Sequence, residues 1–227
     1  MDNSDLKKLK RKIFLIFSLA FIYIAATFLI SSGSLGYWQG WLYCITVFIP
    51  AFFVLTYFFK RSPEFLERRM KFKEKEVKQK TIIKTAFIFF ILGFLIPGLD
   101  YRFGWSAVPL WLVLVSDGVV LLSYFLVFLA FRENIFAGRT VEVFKGQKVI
   151  DTGPYAIVRH PMYAGVLPMY LFTPIALGSF WAIIFFLPVF PILILRILNE
   201  EEVLRQGLPG YTEYCKKVRY RLLPYVW

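Results

Sequence analysis

Long apolar runs separated by basic segments leave this chain few ways to fold. Six runs stand out: Ile13–Ile30, about Trp41–Phe59, about Thr85–Leu99, about Ala107–Phe131, Tyr163–Leu177 and Phe180–Leu198. A helix rises about 1.5 Å per residue and the hydrocarbon of a bilayer is about 30 Å thick, so about 20 apolar residues cross it. The third and fifth runs are short and predict tilted or re-entrant segments. A soluble domain of 227 residues with 58% hydrophobic and 20% aromatic content would leave much apolar surface in water. The sequence therefore predicts an all-α integral membrane protein, a bundle of about five to six transmembrane helices.

The charges sort by side. Of the 27 Lys and Arg residues, 26 fall in the N-terminus, Lys60–Lys84, Arg132–Arg159 and the tail from Arg196, and Arg102 alone falls on the opposite side. This bias predicts both termini in the cytoplasm and an even number of crossings. The net charge of +12 would point to nucleic acid on a soluble fold. Here it is explained by membrane orientation, and no nucleic-acid partner is expected. Tyr37, Trp38 and Trp41 flank the first outer turn, and Tyr101 and Trp105 the second, as interfacial aromatics do. The basic N-terminus has the charge of a signal-peptide start, but the run behind it is too long, so it is read as a retained first span. Lys60–Lys84, with Glu64, Glu67, Glu74 and Glu76 interspersed, reads first as a solvated amphipathic helix leaning on anionic lipid, with a role in presenting substrate as the lesser reading. Asp117 in the fourth span is either a functional acid at depth or a residue near the outer interface. Cys44 and Cys215 read as free thiols, and one histidine with no zinc-spaced Cys/His cluster gives no metal site.

Two polar stretches on the cytoplasmic side differ from ordinary loops. The first, Gln147–Gly165, gathers glycines, prolines, tyrosines and the single histidine ahead of an apolar run. Pro161 suits the first turn of a helix, where its missing N–H costs nothing. Arg159 and His160 then lie at a helix N-terminus, whose free donors favour a carboxylate or another anion. Gly165 leaves room for a ligand or a neighbouring helix. The second stretch, Arg196–Leu204, closes the last run, and Arg196 and Glu200 share a face at i, i+4 spacing. Taken alone, that pair reads as a surface ion pair.

Together the stretches resemble a family. Arg159-His160-Pro161-Met162-Tyr163-Ala164-Gly165 is similar to the RHPxYxG signature of isoprenylcysteine carboxyl methyltransferases and related phospholipid methyltransferases. The tail from Glu200 to Pro224 resembles their Glu-Glu helix, Gly and Tyr, and closing basic run. It departs at Leu208-Pro209-Gly210-Tyr211, which is shorter than the usual spacing before the Tyr. The resemblance implies S-adenosylmethionine as cofactor, in a cytosol-facing pocket built by the C-terminal third. Carried over by position, Gln147, Lys148, Val149, Ile150, Tyr155, His160, Pro161, Met162, Tyr163 and Glu200 bind it. Arg196 sits near the reacting group of the acceptor, and Glu201 is the base if that acceptor is an amine rather than a carboxylate. The expected organisation is one structural domain, with transmembrane helices in 1–131 and a methyltransferase core in 132–227. The expected substrate is a lipid-like or prenylated amphiphile. An NADPH-dependent membrane reductase of sterol or enone type is the competing enzyme, and a transporter or structural membrane protein is the competing class. The nearly wholly apolar spans count against a conduit.

Overall fold

The computed structural model describes residues 2–70 and 77–227, with the side chains of 77–83 and 85 outside the description. The order is α1 (Asn3–Ser32), α2 (Trp38–Arg61), α3 (Pro63–Arg69), α4 (Val77–Phe103), α5 (Leu110–Glu133), a 3-10 turn (Gly153–Ala156), α6 (Pro161–Ala176), α7 (Ile183–Phe186), α8 (Val189–Gly207) and α9 (Tyr211–Lys217). Among the described residues there is no β-strand. Five stretches there are long and apolar enough to cross a membrane: α1, α2, Ala86–Phe103 of α4, α5 and the Ile183–Gly207 run. Large apolar side chains such as Phe14, Phe52, Phe87, Leu122 and Ile184 point outward from them. Only lipid solvates such a surface, so the chain is an integral membrane protein.

Local chemistry sets the helix ends. The Asp2 side chain accepts from the Asp5 N–H at 2.7 Å and opens α1. Gly33 closes it in the left-handed conformation (φ 64°), which a side chain would resist. The third run outgrows the sequence expectation, because α4 stays apolar enough to continue to Phe103. The fifth stays short: α6 has 16 residues, with Pro168 and Pro174 inside it. It is packed along α5 instead of standing alone in lipid. A Cβ at Gly165 would lie 2.9 Å from Val127 Cγ2 and 3.1 Å from the Ser123 carbonyl oxygen. The room at Gly165 thus goes to a neighbouring helix.

Contacts sort the helix ends into two groups. At one end the turns after α1, α4 and α6 meet. The Tyr37 hydroxyl donates to the Leu177 carbonyl at 2.6 Å, and its ring lies 5.0 Å from that of Tyr101. The Asp100 carboxylate accepts from the Ser106 N–H at 2.6 Å, from the Ser106 hydroxyl at 2.7 Å and from the Ser179 hydroxyl. Arg102 is at this end, beside Gly33. At the other end Lys12 reaches the Met70 carbonyl at 3.2 Å, Arg68 the Ile135 carbonyl at 2.9 Å, and Arg196 the Arg139 carbonyl at 2.6 Å. The basic segments therefore collect together.

The structure corrects the reading of Lys60–Lys84 over its described part. In α3, Phe65 and Leu66 are buried in a cluster with Leu9, Phe58, Val127 and Phe131. The side chains of 71–83 lie outside the described residues. Asp117 is buried inside the bundle, and neither carboxylate oxygen has a hydrogen-bond partner among the described residues.

Candidate functional site

The segment from Asn134 to His160 has little regular structure and folds over the basic end of the bundle. Asn134 Oδ1 accepts from the Phe136 N–H at 3.0 Å. Gln147 closes a tight turn on Phe144: its Oε1 accepts from the Phe144 N–H at 2.9 Å, and its own N–H donates to the Phe144 carbonyl at 3.0 Å. Gly146 supplies the positive φ of 76° that this turn requires. Thr152 donates to Glu133 and ties the segment back to α5.

The N–H groups of Arg159 and His160 donate to the Tyr220 and Arg221 carbonyls, each at 2.9 Å. Donors expected to face a ligand at the start of α6 are thus taken by the tail. The anionic group drawn to this place is the chain's own Glu201, 1% exposed. Its Oε1 accepts from Arg159 Nε at 2.7 Å and lies 3.3 Å from His160 Nε2. Its Oε2 accepts from Arg205 Nη2 at 3.0 Å and from Arg221 Nε at 3.2 Å. Arg159 also donates to the Val218 and Arg219 carbonyls, each at 3.1 Å. A buried carboxylate needs such company, since an uncompensated one is costly. This carboxylate joins α6, α8 and the tail.

In front of this knot lies a cleft with about 820 Å³ of empty space, its open mouth included. Gln147, Lys148, Val149, Ile150, Tyr155, His160, Met162, Tyr163, Arg196 and Glu200 line it. Pro161 and Glu201 do not: the proline forms the first turn of α6, and the glutamate faces the knot. Glu201 is therefore placed away from the position its expected role as a base requires. Arg196 and Glu200 are joined through Tyr163. Arg196 Nε donates to the Tyr163 hydroxyl at 2.9 Å, which donates to Glu200 Oε2 at 2.8 Å. The His160 and Tyr163 rings lie 5.8 Å apart. Burial pushes the Tyr155 hydroxyl up, against an opposing hydrogen bond with Asn134, so the phenol stays neutral.

Two further residues belong here that the sequence did not single out. Tyr211, from α9, lines the cleft and is 4% exposed, yet its hydroxyl has no hydrogen-bond partner among the described residues. A buried polar atom left open in a cleft wall fits a polar ligand at that spot. Arg69 reaches in from α3. Its Nη1 donates to the Gly138 carbonyl at 3.0 Å and to the Ala137 carbonyl at 3.4 Å, and lies 3.7 Å from Met162 Sδ. Burial, with Arg139 and Arg196 adding repulsion, pulls its guanidinium down to about 10, so it stays charged at neutral pH. Its signal in the sequence was the apolar Phe65-Leu66 pair in a charged run, which seats α3 against the bundle.

Fold and cleft together define a helical membrane protein with a polar-lined cleft at the basic end of its bundle. Residues 111–208 match the phospholipid methyltransferase family. The chain is also 32% identical over 95 residues to the Delta(14)-sterol reductase of Mus musculus. That alignment covers 39% of this chain and 22% of the reductase, so the chain spans about a fifth of that relative's length.

Proposed function

We propose that this protein is a membrane methyltransferase that takes its methyl group from S-adenosylmethionine and delivers it to a lipid-like or prenylated acceptor at the inner membrane boundary. The observation that carries the reading is convergence: His160 and Glu200, 40 positions apart in the chain, line one cleft. The family match over residues 111–208 supports the reaction class. The cofactor reading is supported by the cleft's donor set, with a carboxylate at Glu200, an open hydroxyl at Tyr211 and neutral phenol faces at Tyr155 and Tyr163.

When bound, S-adenosylmethionine supplies an electrophilic methyl group on a sulfonium. Tyr155 and Tyr163 offer it aromatic faces, which attract cations. Glu200 and the Tyr211 hydroxyl bind polar groups of the same ligand. The fold's further task is to hold donor and acceptor in line and keep water out. Transfer to a carboxylate needs no base, whereas transfer to an amine does. Glu201 does not line the cleft, and both its oxygens accept from arginines, Arg159 on one and Arg205 and Arg221 on the other, so we assign it a positioning role. This favours a carboxylate acceptor, drawn by the charge of Arg196 on the cleft wall. The cleft is taken to face the cytosol, with both termini on that side, so a water-soluble donor and an oily acceptor each arrive from their own phase.

The sterol reductase match keeps a second reading open, a reductase using NADPH. Calorimetry on detergent-purified protein separates the two. Binding of S-adenosylmethionine and S-adenosylhomocysteine, but not NADPH, is the expected result. Binding of NADPH alone overturns the methyltransferase reading.

A further inference from the structure

The part of the cleft wall that runs from Asn134 to Phe144 lies between α5 and the Gln147 turn, and what holds it in place is largely α3. Arg68 Nη1 donates to the Ile135 carbonyl at 2.9 Å. The same guanidinium lies 5.3 Å from the Phe136 ring and 5.5 Å from the Phe144 ring. Phe144 is in turn hydrogen-bonded to Gln147, both ways. Arg69 holds the next two carbonyls, Ala137 and Gly138, and sits 4.4 Å over the Phe131 ring. It also touches Met162, across the cleft wall on α6. Two adjacent side chains of one short helix thus grip the wall at four successive residues and at the ring of Phe144, whose backbone seats Gln147. The helix cannot swing freely, because Phe65 and Leu66 are buried beneath it. Lys12 of α1 reaches the carbonyl at its end, Met70.

We propose that α3 is a clamp on the cleft, with Arg68 and Arg69 as positioning residues that fix the wall from 134 to 144 and so set the affinity for the methyl donor. The donor's identity rests on the proposed function; the clamp itself rests on geometry that stands apart from it. α3 lies outside the stretch that matches the family, so the clamp is a device of this chain's N-terminal half acting on its C-terminal half. A planar guanidinium suits the task, since it bridges two carbonyls while stacked on a ring; an ammonium group does not.

Two measurements test the clamp on the full-length protein: amide hydrogen exchange across 134–144, and calorimetry with S-adenosylhomocysteine. Arg69→Gln is expected to raise exchange in that wall while leaving α1 and α5 as in the wild type. It should weaken S-adenosylhomocysteine binding by about tenfold, the loss expected for charge-assisted hydrogen bonds that preorganise a site. Arg69→Lys should recover only part of that affinity. A purely structural role would lower the melting midpoint yet leave the folded protein's affinity unchanged, and that result overturns the proposal. Unchanged exchange in the wall overturns it as well. Arg68→Gln provides the same two readouts should Arg69→Gln not fold. Failure of the wild type to bind S-adenosylhomocysteine would count against the methyltransferase reading, while the exchange data would still decide whether α3 holds the wall.

Discussion

Glu200 and Glu201 are neighbours in the chain and opposites in surroundings. Successive helix residues point about 100° apart, so one carboxylate lines the cleft while the next is enclosed by Arg159, His160, Arg205 and Arg221. Glu201→Gln keeps the shape but removes the charge, leaving buried Arg159 uncompensated. Its expected cost is about 3–5 kcal/mol of stability, read as a lower unfolding midpoint in a thermal scan. Glu200→Gln is expected to leave the midpoint near the wild type and to weaken S-adenosylhomocysteine binding instead. The opposite pattern would reverse the two roles. Tyr211→Phe makes a companion prediction. Deleting a hydroxyl with no described partner should not destabilise the fold, but it should cost the ligand one hydrogen bond, about 0.5–1.5 kcal/mol by calorimetry. The family resemblance gave the two glutamates separate roles, but the sequence could not show that Glu201 is enclosed. Two of its partners lie 42 residues earlier, at Arg159, and 20 later, at Arg221, and no local pattern encodes such pairings.

At the scale of elements, legibility followed the solvent. α1, α2 and α5 were readable as spans because hydrocarbon demands a continuous apolar helix of fixed length. α3 was not, because its role rests on two buried side chains in a basic run and on contacts more than 60 residues away. The cleft stretch was legible as two motifs, yet the tail's capture of the Arg159 and His160 N–H groups was not, since it depends on how the chain returns. Gly165 shows the packing constraint most directly. The approach of α6 to Ser123 and Val127 leaves no space for a methyl group. Gly165→Ala should therefore force α5 and α6 apart and cost about 1–3 kcal/mol, the usual penalty of overpacking. Thermal unfolding measures that cost. Because α6 carries His160 and Tyr163 at its start, S-adenosylhomocysteine affinity should fall with it. A variant that melts and binds like the wild type would show that the helices have slack the structure does not suggest.

For the whole molecule, the question is which way it faces. The contacts divide the helix ends into two sets: the turns held by Asp100, Tyr37 and Ser179, and the basic end that holds the cleft. Of the 27 basic residues, Arg102 alone belongs to the first set by sequence, and the positive-inside rule then predicts the basic end on the cytoplasmic side. The proposed chemistry makes the same demand independently. A charged, water-soluble donor does not cross a bilayer unaided, so a cleft that uses it must open where the donor is made. Orientation can be read in a Cys215→Ser background, since Cys44 is buried. In that background, Arg102→Cys and Lys216→Cys each place one thiol at an exposed position on opposite ends. With a membrane-impermeant maleimide, Arg102→Cys should label in intact cells and Lys216→Cys only after the membrane is opened. Labelling of Lys216→Cys alone in intact cells would invert the molecule and remove the cleft from its donor supply. Labelling of both positions from one side would mean that the two sets of helix ends do not lie across a bilayer from one another, and the function built on that arrangement would fail with it.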